Sequence, residues 1–294
     1  MQMVLALVVM IRKRKNKMQG QIIEIVSDLH IVSCDGVKYR CKCRGKFRNK
    51  HIIPLVGDFC IFDDKKLIIE EILPRKNCFE RPKVSNIDQG IIVTSLNNPD
   101  FSINLLDRFL TIMELNKVTP IICITKEDLI SCSQLNEINH VLDYYRNIGY
   151  LVVSNTEIEK IKGILKNKTS VFTGQTGAGK STLLNKIDKD LGLLVGDVSE
   201  ALGRGKHTTR VVSLFEVCGG KVLDTPGFSA VEFSKYSIED IKNSFIEFKN
   251  FSCLYKDCSH TNESVNECSV KKAVLERNIL EERYNDYLKF IERR

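Results

Sequence analysis

The run Gly174-Gln175-Thr176-Gly177-Ala178-Gly179-Lys180-Ser181 constrains this chain more than any other feature. It satisfies G-x-x-x-x-G-K-[ST] at every fixed position, follows the apolar stretch Val171-Phe172-Thr173 and runs into Thr182-Leu183-Leu184-Asn185. Between a strand and a helix, such a loop turns backbone N–H groups toward phosphate oxygens, and the helix N-terminus adds its positive dipole end. Lys180 would reach the β- and γ-phosphates, and the Ser181 hydroxyl would ligate Mg²⁺. The competing reading is a glycine-rich turn without a ligand; the flanking strand and helix favour a nucleotide site.

The surroundings fit an α/β domain. Apolar, β-rich runs at 90–95, 120–124, 150–153, 170–173, 211–217 and 221–223 alternate with helical spacing at 103–115, 135–147, 158–165 and 180–187. That alternation predicts a mostly parallel sheet over 89–231, covered on both faces, with ligands at the carboxyl ends of its strands. Residues 18–73 hold five short strand-like runs between turn signals and predict a small barrel of the OB type. Residues 74–88 are polar, carry two prolines and read as a linker. Beyond 231, Ser237 and Asp240 form a capping box, and one long helix is expected from Val270 to the terminus.

A second motif selects the base. The apolar strand ending at Ile124 runs into Thr125-Lys126-Glu127-Asp128. A carboxylate at Asp128 can accept from N1–H and the exocyclic amine of guanine, whereas adenine offers no such donor pair. Lys126 would lay its aliphatic stem over the base plane. Alone, T-K-x-D is weak and reads equally as a solvated loop; beside a phosphate loop it gains weight. Thr125 stands where asparagine is usual, so a loop-bracing amide is missing. A third segment, Lys221 to Gly227, ends a strand in D-x-x-G. There Asp224 would contact Mg²⁺ through water, and the Gly227 N–H would lie near the γ-phosphate. A fourth, Gly203-Arg204-Gly205-Lys206-His207-Thr208-Thr209-Arg210, reads as a switch loop, with Thr208 or Thr209 supplying a hydroxyl and Thr209 the candidate Mg²⁺ ligand. Its alternative is a basic surface loop. Phe228 follows Gly227 where an apolar side chain cannot orient water, so His207 is the candidate for that role and intrinsic hydrolysis should be slow.

Charge and cysteine content bound the rest. Net charge is +7, but residues 1–17 hold five basic and no acidic side chains, leaving 39 basic against 37 acidic. Global charge therefore argues little for a nucleic-acid partner. Residues 1–17 read as an unstructured tail or a mis-assigned start, with a membrane-surface helix as the alternative. The longest apolar run, residues 3–11, is too short to span a bilayer, and its charges follow it, the wrong order for a signal peptide. A cytoplasmic chain is expected, with no membrane partner and a monomeric state. Eleven cysteines cannot all pair, so clusters are read first as metal ligands. Cys253, Cys258, His260 and Cys268 fall within 16 residues, a donor set suited to one structural Zn²⁺ per chain. Cys41 and Cys43 are expected in the barrel core.

One local pattern does point to RNA. Lys38, Arg40, Lys42, Arg44, Lys46, Arg48 and Lys50 occupy every second position with no acid between them. On a strand, period-two spacing puts such residues on one face. A solvated barrel face is the alternative, yet unneutralised cations in a row repel one another unless phosphates bind there.

The order of the motifs is unusual. In Ras-like GTPases the base motif follows the phosphate loop; here it precedes it by about fifty residues. With G-Q-T-G-A-G-K-S-T, G-R-G-K-H-T-T and D-T-P-G-F, that order resembles the circularly permuted, ribosome small-subunit-dependent GTPase A family. The resemblance covers 18 to about 290, including Arg81-Pro82 and the cysteine cluster, whose final spacer is two residues longer than the family's. It implies a multidomain protein: an OB-type barrel, a circularly permuted P-loop GTPase domain and a helical zinc-binding domain at 232–294. It also implies GTP hydrolysis stimulated by the small (30S) ribosomal subunit and its 16S rRNA during late maturation. The competing classes are a non-catalytic, GTP-dependent RNA-binding regulator and a small-molecule kinase or ATPase.

Overall fold

The computed structural model describes residues 17–45, 47, 52–80, 83–191, 212–224 and 233–292. The proposed switch residues His207, Thr208 and Thr209, and likewise Gly227, Phe228, Lys46, Arg48, Lys50 and Arg81-Pro82, lie outside them.

The N-terminal strands alternate apolar and polar residues, and the apolar set closes a barrel. Strands β1 (Lys17–Val26), β2 (Leu29–Cys34), β3 (Val37–Cys43), β4 (Phe59–Asp63) and β5 (Ile68–Ile72) run in the order β1-β2-β3-β5-β4, and β4 returns to β1. Lys17, placed in the tail by the sequence reading, opens β1 opposite Asp63 and ion-pairs with Glu70. A register shift between Ile22 and Glu24 lets β1 serve β4 with one half and β2 with the other. Ile22, Val32, Cys41, Cys60, Phe62 and Ile69 fill the interior, and Cys43 packs against it partly buried.

The segment expected to be a linker is built structure. Strands β6 (Cys78–Glu80) and β7 (Lys83–Ser85) form a hairpin that buries Phe79 and Val84, with Ile87 just beyond. Several of its polar residues are held by hydrogen bonds within the protein. Fully buried Asp58 accepts from Arg75 Nε at 2.7 Å and Nη2 at 2.8 Å, from Ser85 Oγ at 2.6 Å and from the Leu55 amide at 2.8 Å. Burial without those four donors would cost several kcal/mol. Gly57 sits at φ 98°, and a Cβ there would lie 2.0 Å from the Ser85 carbonyl oxygen. Composition marked this stretch as polar; only the fold reveals partners for Arg75, Lys76, Asn77, Ser85, Asn86 and Asp88.

Strands β8 (Gln89–Ser95), β9 (Thr119–Thr125), β10 (Leu151–Ser154), β11 (Thr169–Thr173), β12 (Ser213–Val217) and β13 (Gly220–Asp224) form the second sheet region in the order β10-β9-β8-β11-β13-β12. All pair in parallel except β12, which is antiparallel to β13. Side chains alternate between two cores, as in β8, where Ile91 and Val93 face one cluster and Ile92 the other. Helices α3 (Ile158–Leu165) and α4 (Lys180–Ile187) cover the first. Helices α1 (Ile103–Leu115) and α2 (Cys132–Ile148), with the C-terminal helices, cover the second. At the far edge Glu24 of β1 pairs with Ser213 of β12, so barrel and α/β strands share one 11-stranded sheet.

C-terminally, α5 (Ile238–Ser244) starts at the expected Ser237–Asp240 capping box. The single long helix expected from Val270 is instead two: α6 (Ser269–Leu275) and α7 (Glu281–Glu292). Arg277 takes φ 61° and the Asn278 amide donates back to the Ala273 carbonyl at 2.8 Å, a Schellman-type stop made without glycine or proline. Among the described residues no helix is long and apolar enough to cross a membrane.

Candidate functional site

The carboxyl ends of β9, β8, β11 and β13 lie side by side, which brings together segments far apart in the chain. The glycine-rich loop leaves β11 and enters α4 through Gly174, Gly177 and Gly179 at φ 137°, 81° and 94°. Gly174 has a second reason to be glycine: a Cβ would lie 2.0 Å from the Val93 carbonyl oxygen of β8. Lys180 folds over the loop and donates from Nζ to the carbonyls of Gly174 at 2.8 Å and Gln175 at 2.7 Å. Burial lowers the Lys180 pKa, so an anion in the loop would restore it. Ala178 and Ser181 are buried, while Gln175, Thr176 and Gly177 are exposed at the rim. Thr182 stands half-buried in the first turn of α4.

Beside it, Thr125 closes β9. The amide is absent, as expected, but a hydroxyl braces the loop in its place. Thr125 Oγ1 donates to the Ala178 carbonyl at 2.7 Å, in a residue only 1% exposed. A hydroxyl reaches the loop here because β9 lies one strand from β11. Lys126 takes φ 60°, a left-handed conformation costing about 1 kcal/mol for a non-glycine residue, and its ammonium donates to the Asn98 carbonyl. Glu127 accepts from Ser154 Oγ at the end of β10. Asp128 sits exposed on the short 3-10 turn Glu127–Leu129. Asp224 ends β13 beside β11, with Val171 opposite Leu223.

The sequence reading missed the loop after β8. Asn97 donates from Nδ2 to the Leu129 carbonyl at 2.8 Å, Ser95 Oγ donates to the Asn97 carbonyl at 2.5 Å, and a Cβ at Gly177 would lie 3.6 Å from Pro99 Cδ. Its sole trace in sequence is a polar run at a strand end.

Near the C-terminus the four expected ligands converge. Their donor atoms all lie within 4.8 Å of one another. His260 Nδ1 is 3.6, 3.2 and 3.3 Å from the sulfurs of Cys253, Cys258 and Cys268, and Cys253 Sγ is 3.9 Å from Cys268 Sγ. A zinc tetrahedron with bonds of about 2.3 Å places sulfurs about 3.8 Å apart, so the group fits that ion. Burial pushes His260 down to about 4 and the Cys258 and Cys268 thiols up, which leaves a neutral imidazole and thiols that a cation would deprotonate. Tyr284 Oη holds the His260 carbonyl at 2.6 Å. Between His260 and Cys268 the chain turns at Glu263, which accepts from the amides of Ser259 at 2.7 Å and Thr261 at 2.8 Å. Although burial alone would raise it, those bonds hold Glu263 at about 2.

On the barrel, Lys38, Arg40, Lys42 and Arg44 are exposed along and just beyond β3. They are not without counter-charge, since Asp28 lies 3.7 Å from Lys42 and Glu70 lies 3.3 Å from Arg44. Both acids come from other strands or turns and are invisible in the linear pattern.

Fold and site define a circularly permuted P-loop GTPase, a GTP hydrolase. The chain belongs to the RsgA GTPase family, whose GTPase domain pattern matches residues 72–234 and whose N-terminal domain pattern matches 19–67. It is 43% identical over 279 residues to the small ribosomal subunit biogenesis GTPase RsgA of Streptococcus agalactiae, covering 93% of this chain and 94% of that protein. The Listeria monocytogenes relative RsgA 2 is 44% identical over 283 residues, covering 94% and 97%. The solved structure of YloQ, described as a circularly permuted GTPase, superposes with a TM-score of 0.80 at 34% identity over 95% of this chain and 96% of its own.

Proposed function

We propose that this chain binds GTP at the shared carboxyl edge of β9 and β11 and hydrolyses it in response to the small ribosomal subunit, assisting that subunit's late maturation. One observation carries the reading: the Thr125–Ala178 hydrogen bond of 2.7 Å joins the base turn to the glycine-rich loop. In that pocket the amides of residues 174–182 and Lys180 take the phosphates, Asp128 takes the guanine edge and Lys126 covers the base. Mg²⁺, held by Ser181 and through water by Asp224, supplies charge neutralisation between the phosphates when bound. Thr208 or Thr209 completes that shell, Gly227 binds the γ-phosphate, and His207 positions the attacking water. A Zn²⁺ ion held by Cys253, Cys258, His260 and Cys268 organises the C-terminal loop.

The partner is the small subunit through 16S rRNA, met by the basic barrel face of a monomer. Turnover measured with and without purified small subunits tests the reading: a rise by orders of magnitude on their addition is expected. His207→Ala should lower the stimulated rate with little change in GTP affinity. Hydrolysis equally fast without subunits would favour a regulator that needs no ribosomal trigger.

A further inference from the structure

Asp128 has an unusual freedom. Among the described residues its carboxylate accepts no hydrogen bond, so its direction is set entirely by the 3-10 turn that carries it. That turn is fastened at its start and at its end by different parts of the chain. At the start, the Thr125 carbonyl accepts from the Leu96 amide at 3.0 Å, Thr125 Oγ1 reaches Ala178, and Lys126 reaches the Asn98 carbonyl. Glu127, the first residue of the turn, is held by Ser154. The end is Leu129, itself 52% exposed and unable to anchor by burial. Its amide closes the turn on the Lys126 carbonyl at 3.1 Å, and its own carbonyl is taken by Asn97 Nδ2 at 2.8 Å. Asn97 in turn leaves β8 beside Ser95, which is in register with Thr125 of β9. The amide is therefore built on the same rigid strand pair that carries the base turn.

We propose that Asn97 is a specificity-positioning residue: by holding Leu129 it aims the Asp128 carboxylate so that both oxygens, rather than one, meet the guanine edge. The inference rests on the reading of Asp128 as the guanine acceptor. Asn97 acts through the turn rather than on the nucleotide. A carboxylate that has lost its aim keeps a bond to N1–H more easily than it keeps two coplanar bonds, because the second fixes the in-plane orientation. The exocyclic 2-amine is the group whose recognition should suffer, and hypoxanthine lacks it.

The test is the affinity of the full chain for GDP and for IDP, in the wild type, Asn97→Ala and Asn97→Asp. Asn97→Asp keeps size and polarity but has no donor for the Leu129 carbonyl. In both variants GDP binding should weaken about three- to tenfold, the loss of one hydrogen bond. IDP binding should change less than twofold, so the GDP/IDP preference narrows. With small subunits at saturating GTP, kcat should stay within twofold while KM rises. Equal weakening for both nucleotides would reduce Asn97 to a structural role and overturn the proposal, as would unchanged GDP binding in both variants. Asp128→Asn run in parallel separates the two ideas. If that variant alone alters GDP/IDP preference, Asn97 has no positioning role; if it leaves base preference intact, the reading of Asp128 fails with it.

Discussion

At the scale of single residues, the pocket depends on two side chains that do opposite work. Asp128 is exposed and its value lies in what it would bind; Thr125 is buried and its value lies in what it holds. Asp128→Asn should weaken GTP binding by roughly 2–4 kcal/mol, the cost of a charge-assisted bidentate contact, and should favour xanthosine nucleotides, which carry oxygen in place of the 2-amine. Competition binding with GTP and XTP checks this. Thr125→Val keeps shape but leaves the Ala178 carbonyl without its 2.7 Å partner. The expected loss is about 1–3 kcal/mol of stability, read by urea unfolding, with weaker GTP binding because loop and base turn then move independently.

At the scale of elements, α7 ties the C-terminal part to the nucleotide domain through one buried cation. Arg283, with no exposed surface, bonds Asp107 of α1 at 2.5 Å and Glu247 at 2.5 and 3.1 Å, and stacks 4.6 Å from the Phe245 ring. Tyr145 Oη of α2 also donates to Asp107 at 2.6 Å. Arg283→Met would strand two buried carboxylates and should cost about 3–5 kcal/mol, measured as a lower urea midpoint. The Cys253–Cys268 loop is the other element-level dependency, because its large apolar residues Leu254, Tyr255 and Val265 are exposed. Elemental analysis should find one zinc per chain. Cys258→Ser should lose the metal and the order of that loop while GTP binding persists, since the ligands share no residue with the base turn or glycine-rich loop.

At the scale of the molecule, the shared sheet makes barrel and nucleotide strands neighbours. Lys221 of β13 donates to Gln21 of β1 at 2.6 Å, three residues before Asp224. Binding to small subunits should be strongly salt-dependent. Arg40→Glu and Lys42→Glu should each lower the magnitude of the salt slope by about one or more, as expected for lost phosphate contacts. Arg44→Glu is the less clean test, because Glu70 at 3.3 Å would then face a second acid and the barrel itself would loosen. Sedimentation with small subunits across a salt series distinguishes these effects.

Local chemistry determined much of this protein from sequence. The glycine-rich loop, the T-K-E-D turn, the capping box at Ser237 and the four metal-type ligands are short patterns whose physics is complete within a few residues. The strand and helix alternation was legible for the same reason, since burial imposes period two or 3.6 on neighbours in the chain. What tertiary structure alone decided depends on partners distant in sequence. Residues 74–88 read as a linker because nothing in their composition announces Asp58 as the acceptor for Arg75 and Ser85. The basic row looked uncompensated because Asp28 and Glu70 approach it only across strands. One long C-terminal helix became two because Arg277 takes a left-handed conformation and Asn278 bonds back to Ala273, with no glycine to signal it. That the Thr125 hydroxyl braces the loop in place of an amide was invisible because its acceptor, Ala178, is 53 residues away. Hydrogen bonds and ion pairs of that kind are fixed by where strands lie in the sheet, and strand order is a property of the whole chain.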